Sequence, residues 1–189
     1  MGLTTNQKVL VWAQGKLGKK VGAGECWDLG EAALKQAGAQ TSNDLGPVGD
    51  DSDYIWGDEI DIKDVQSGDI LQFRDHEVTT TTDTEYVFPD GSSETKTESA
   101  TSERGHHTAI ANGKLDAGGV VKTLEQNIEP KDKVVQNKKV ETRDIPDVTR
   151  KSTEKRTNPT TKKLETAKVT KTVTVTVSGT IWVYRPKSK

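Results

Sequence analysis

The chain has 189 residues, 31% hydrophobic and 30% charged, with a net charge of −2 and one cysteine, Cys26. That size fits one domain with a lean core, much of it in solvent-facing strands and loops. A single cysteine excludes an internal disulfide and a multi-cysteine zinc site. With no secretory leader or membrane span readable, a cytoplasmic protein with no membrane association is expected.

Thr4-Thr5-Asn6-Gln7 has capping-box spacing and opens a helix carrying Val9, Ala13 and Leu17, with Gly18 as its stop. After the turn Gly22-Ala23-Gly24, a second helix is predicted from Cys26 to Ala37, with Leu29, Ala33 and Ala37 as its stripe and Gly38 as its end. Residues 40–67 read as irregular and acidic. Asp50, Asp51 and Asp53 read there as a solvated turn, because the loop glycine and distal glutamate of a calcium loop are missing. Tyr54, Ile55 and Trp56 are expected to pack on the body.

From Gly68 onward the pattern is that of strands. Ile70-Leu71-Gln72-Phe73 is a short apolar strand. Residues 77–104 alternate threonine with polar and aromatic residues around Pro89-Asp90-Gly91, which predicts a projecting hairpin with few core contacts. Strands follow at 107–111 and 120–127. Residues 131–165 read as a mobile loop or second hairpin. Val169, Val173, Val175 and Val177 alternate with polar residues as a strand broken by Gly179, and Ile181 to Tyr184 form the last strand.

Charge is unevenly spread. Residues 1–130 hold 11 Lys/Arg against 23 Asp/Glu, and residues 131–189 hold 16 against 6. The basic part either folds back on the acidic body or attracts an anionic partner; the first reading is favoured. Nucleic acid is not an expected partner, because aromatics do not interleave with the lysines.

Cys26 lies at the predicted start of a helix, where unpaired N–H groups and the helix dipole favour thiolate over thiol and can hold an oxyanion. A lone cysteine is more often a small buried hydrophobe. The chain has three histidines. In the strand reading His107, Ala109 and Ala111 share one face and His106, Thr108 and Ile110 the other, so only one of the adjacent pair can face the thiol. His76 reads as a solvated residue at a strand end. Glu125 and Asn127, two apart in a strand, share a face, and either could orient the imidazole. Adjacent strand histidines make a poor metal site, and no cofactor motif is present.

The sequence Gly24-Glu25-Cys26-Trp27, Gly68-Asp69 before an apolar strand, His107-Thr108-Ala109-Ile110 and Glu125-Gln126-Asn127, in that order, resembles the CHAP family of cysteine, histidine-dependent amidohydrolases and peptidases. The Cys-Trp step also resembles the papain group. With His106-His107 and the terminal Tyr184-Arg185-Pro186, these motifs are similar to the cysteine-proteinase-like terminal domain of fungal actin-patch, myosin-binding scaffold proteins. The resemblance covers residues 26–127. It implies an α+β, papain-like fold: two N-terminal helices packed on an antiparallel sheet with long Thr-rich hairpin insertions. Residues 1–189 would form one such domain, with the hairpin 77–104 projecting and a basic loop/strand region at 131–178. It implies Cys26 as nucleophile, His107 as base, and Glu125 and Asn127 as orienting residues. The expected activity is thiol-dependent hydrolysis of a peptide or cell-wall amide by a monomer without metal or cofactor. The alternative is an inactive papain-like fold that binds a protein partner.

Overall fold

The computed structural model describes residues 2–49, 51–129 and 133–189; Asp50 and the start of the basic region lie outside the described residues. Helix α1 (Thr5–Gln14) opens with the capping box read from the sequence. Thr4 Oγ1 accepts from the Gln7 N–H at 3.3 Å, and the Thr4 N–H donates to Gln7 Oε1 at 2.9 Å. Val9 and Ala13 are buried, but the helix ends at Gly15 rather than Gly18. Leu17 falls beyond it and bridges to Val135. Helix α2 (Cys26–Ala37) buries Leu29, Ala33, Leu34 and Ala37 and ends on Gly38 at φ 70, which sends its N–H back to the last turn. The stretch 40–67 is more regular than expected. It holds the one-turn helix α3 (Ser42–Leu45), the strand β1 (Asp58–Ile60) and a 3-10 turn at Ile62–Asp64.

Six further strands follow: β2 (Ile70–Val87), β3 (Ser93–Ala111), β4 (Val120–Glu125), β5 (Gln136–Glu141), β6 (Ile145–Thr157) and β7 (Leu164–Arg185). Their order is β1-β7-β2-β3-β4-β5, with β6 also beside β7, and the pairs β1·β7, β3·β4, β4·β5 and β6·β7 are antiparallel. The class is α+β. The chain clusters into two compact units, one of residues up to Glu77, Glu103–Arg143 and Ser178–Lys189, the other of Val78–Ser102 and Asp144–Val177.

In the first unit the sheet carries a core on each face. Strand alternation sends adjacent residues to opposite sides. Ile70, Ile110, Leu124 and Tyr184 join the α1 and α2 stripes and Trp56 in one cluster, while Leu71, Phe73, Ala109, Val121, Val140 and Val183 form the other. Tyr54 and Ile55 pack against the helix-side cluster, as expected. The C-terminal cations close this unit. Arg185 reaches Asp69 at 3.0 Å, Lys187 reaches Asp58 at 2.9 Å and Lys189 reaches Asp44 at 2.8 Å. The solvated acidic turn is partly tied down as well, since Arg74 holds Asp51 at 2.6 Å and Asp53 at 2.8 Å.

The 77–104 hairpin is the outer part of β2 and β3. It turns at Pro89-Asp90-Gly91, where the Phe88 N–H donates to Ser92 O at 2.9 Å. It does not stand alone, because Tyr86 and Phe88 share a small core with Ala167 and Val169 of β7. The segment 131–165, expected as a loop or second hairpin, holds β5, β6 and the start of β7 in its described residues, and β6 runs antiparallel beside β7 as a hairpin. Gly179 does not break the last strand. β7 runs through it with φ 84, and the backbone of Asp75 and His76 lies so close that no side chain fits there.

Candidate active site

The turn before α2 is held from both sides. Gly22 has φ 57, and a Cβ there would lie 2.6 Å from the Asp28 carboxyl. Asp28 Oδ2 accepts the N–H groups of Gly24 at 3.1 Å and Glu25 at 3.0 Å, so the first turn of the helix folds back on its approach. From the sheet side, the buried Gln126 carboxamide accepts the Val21 N–H at 2.8 Å and donates to Val21 O at 3.0 Å and Glu25 O at 2.8 Å. Gly30 lets α2 lie close to the sheet: a Cβ there would be 3.2 Å from Trp56 and 3.3 Å from Thr108. Cys26 is thereby fixed at the helix N-terminus against β3.

Its thiol lies within electrostatic reach of the His107 imidazole and of the backbone N–H groups of Thr108 and Trp27. The other side of the imidazole meets Glu125, whose Oε2 lies 3.2 Å from His107 Nε2. That approach is short but not well aligned for a ring N–H. It leaves the second ring nitrogen for sulfur. Glu125 is completely buried and held in a bidentate fork by Arg104, with Nε to Oε2 at 3.0 Å and Nη2 to Oε1 at 3.2 Å. Phe73 packs beside this row, 6.1 Å from the His107 ring and 5.7 Å from the Arg104 guanidinium.

The electrostatics follow from these contacts. Burial pushes the Cys26 thiol up, but the His107 imidazole and the Thr108 and Trp27 N–H groups outweigh it and hold the thiol below its usual value. Burial pushes His107 down, but Cys26 and Glu125 raise it to about 9. Glu125 is raised by burial, yet His107 and Arg104 bring it to about 2. The row therefore favours thiolate, imidazolium, carboxylate and guanidinium in alternating charge. A cleft of about 280 Å³ opens on it, with Glu103 to His107 on one side and Asn127 to Glu129 on the other.

Of the residues predicted from sequence, Cys26, His107 and Glu125 come together and Asn127 does not join them. β4 ends at Glu125, and Asn127 takes φ 59, so the alternation that would put both on one face is lost. Its amide donates to Glu25 Oε2 at 2.6 Å, beside the ion pair between Glu25 and Lys133. His106 turns away from sulfur to stack on Tyr54, with ring centroids 5.1 Å apart. His76 is not solvated. At 1% exposure it packs on Phe73 and donates from Nε2 to Glu141 O at 3.0 Å, because β2 continues through it and turns it inward. Sequence reading missed Arg104, assigned to the projecting hairpin, and Gln126, read only as part of a motif. Arg104 precedes His107 by three positions, so strand alternation alone would set the two on opposite faces and gave no signal for it.

A larger hollow of about 670 Å³, lined by Asn112, Lys122 and Lys139 among others, lies away from the thiol and holds no nucleophile. Among the described residues, no group of three or more His, Cys, Asp or Glu is placed to hold a metal ion, and no helix is long and apolar enough to cross a membrane. In comparisons with protein families, with curated proteins and with solved structures, nothing matches this chain.

Proposed function

We propose that this chain is a papain-like thiol hydrolase of the CHAP kind, cleaving a peptide or cell-wall amide bond through Cys26, His107 and Glu125. The observation that carries the reading is the row of Cys26 at a helix N-terminus, His107 on the thiol, and the buried Glu125 behind the imidazole. The Cys26 thiolate attacks the carbonyl carbon, and the electron pair moves to oxygen. The N–H groups at the start of α2 are the donors nearest the developing oxyanion. The imidazolium gives its proton to the leaving amine, the C–N bond breaks and a thioester remains. His107 then takes a proton from water, hydroxide attacks the thioester, and the acid leaves as sulfur is released. Glu125 keeps the imidazolium charged and oriented, and Arg104 keeps Glu125 ionised.

The test is hydrolysis of a fluorogenic peptide amide and of a peptidoglycan fragment, with Cys26→Ser and His107→Ala as controls. Turnover lost in both variants supports the reading. Turnover that survives Cys26→Ser overturns it. A second reading, a fold that binds a partner without turnover, is favoured by the size of the second unit, which contains none of the Cys26, His107 and Glu125 row. Wild-type protein that alkylates at Cys26 but cleaves neither substrate class would favour that reading.

A further inference from the structure

One face of the second unit's sheet sets two cations side by side. Arg150 on β6 stands directly opposite Lys171 on β7. Like charges in that position repel. Neither is in an ion pair among the described residues. Lys171 acts at a distance on Glu98, whose carboxylate is already held by Lys96 at 2.8 Å. Arg156 on the same face shows the contrast: Glu94 holds it at 3.0 Å and it lies 4.2 Å over the Tyr86 ring.

Two hollows meet at this pair. One, of about 290 Å³, is lined by Val148, Arg150, Lys171 and Val173. The other, of about 470 Å³, shares Arg150 and Lys171 and extends toward Tyr86, with Glu98 and Glu154 also on its lining. Val148 is 46% exposed, a large hydrophobe left open beside two cations. The site therefore offers two adjacent positive charges next to an apolar floor.

We propose that this groove binds an extended acidic peptide, with carboxylates on Arg150 and Lys171 and an apolar side chain against Val148 and Val173. An anion between the two cations removes their repulsion, and the valines select a chain that carries apolar groups between its acids. A nucleic acid fits less well. Tyr86 is buried and covered by Arg156, so no open ring is left for a base.

The test is fluorescence anisotropy of the full chain with short labelled peptides alternating Glu with Val, or Lys with Val. The Glu peptide should bind saturably, more weakly as salt rises, and the Lys peptide should not bind. Arg150→Glu and Lys171→Glu should each weaken binding by roughly tenfold or more. Lys168→Glu, on the opposite face of the same strand, should leave it nearly unchanged, and Arg150→Gln gives a milder variant should charge reversal unfold the arm. Unchanged Cys26 alkylation in each variant would verify the rest of the chain. Failure of the Glu peptide to bind, equal loss in Lys168→Glu, or tighter binding of inorganic polyphosphate or an oligonucleotide would overturn the proposal.

Discussion

At the scale of single residues, the proposed chemistry rests on a proton shared between Cys26 and His107. Alkylation of Cys26 by iodoacetamide, followed against pH, should show a midpoint below that of an ordinary thiol. His107→Ala should move the midpoint up, because burial then acts on sulfur with less to oppose it. His106→Ala should change it little, since that ring stacks on Tyr54. Hydrolysis should behave differently. It needs the imidazolium as well as the thiolate, so its rate should fall again as pH passes about 9, while alkylation stays on its plateau. Stability gives a second readout. Glu125 is depressed to about 2 from 4.5, so its contribution is complete above pH 4.5 and is lost as pH falls toward 2. His107 is raised from 6.5 to about 9, which alone would give stability below 6.5 that is lost toward 9. The depressed Cys26 opposes it there, because the folded pair holds its proton on nitrogen and the unfolded chain holds it on sulfur. The visible slope should therefore lie on the acid side. Arg104→Met should cost about 3–5 kcal/mol at pH 7, as expected for one partner removed from a buried pair. That penalty should shrink as pH falls from 4.5 toward 2 in denaturant titrations. A penalty independent of pH would assign Arg104 a packing role alone.

At the scale of elements, what matters is how closely α2 approaches β3. Gly30→Val puts branched bulk against Trp56 and Thr108, already 3.2 and 3.3 Å from a bare Cβ. Such overpacking costs about 1–3 kcal/mol. By moving Cys26 away from His107, it should also raise the alkylation midpoint; Gly30→Ala should do both to a smaller degree. Gln126→Ala acts on the approach to the helix. It leaves the Val21 N–H and Glu25 O without their Gln126 partner, while Val21 O keeps the Gly24 N–H at 3.0 Å, a loss of about 1–3 kcal/mol. Thermal unfolding and the alkylation titration, measured together, separate a stability effect from a shift in the thiol. A variant that loses stability with an unmoved midpoint would show that the turn does not set the nucleophile's position.

At the scale of the whole molecule, the chain builds its two units from interleaved segments. Removing 78–102 alone should strip Ala167 and Val169 of Tyr86 and Phe88, leaving β6 and β7 without their core. Removing 78–102 together with 144–177, each bridged by a Gly-containing turn, should leave a body that unfolds cooperatively and still alkylates at Cys26. The single deletion should be the more protease-sensitive of the two, with cuts among the lysines and arginines of β6. Equal resistance in both would show that β6 and β7 need no partner from β2.

The sequence by itself determined what depends on near neighbours. The Thr4 box, the α2 stripe, the Gly38 stop, the Pro89-Asp90-Gly91 turn and the alternation that separates His106 from His107 are set by residues a few positions apart. Cys26 at a helix start was legible for the same reason. The tertiary structure decided what depends on distant segments. Arg104 matters because β3 brings its guanidinium to Glu125, twenty-one residues further on. Asn127 leaves the imidazole because β4 ends at Glu125 and the positive φ at Asn127 breaks the alternation. His76 is buried because β2 continues where the sequence suggested a strand end. The basic stretch 133–178 became strands because Ala167 and Val169 found Tyr86 and Phe88, a core that no single window of the chain contains.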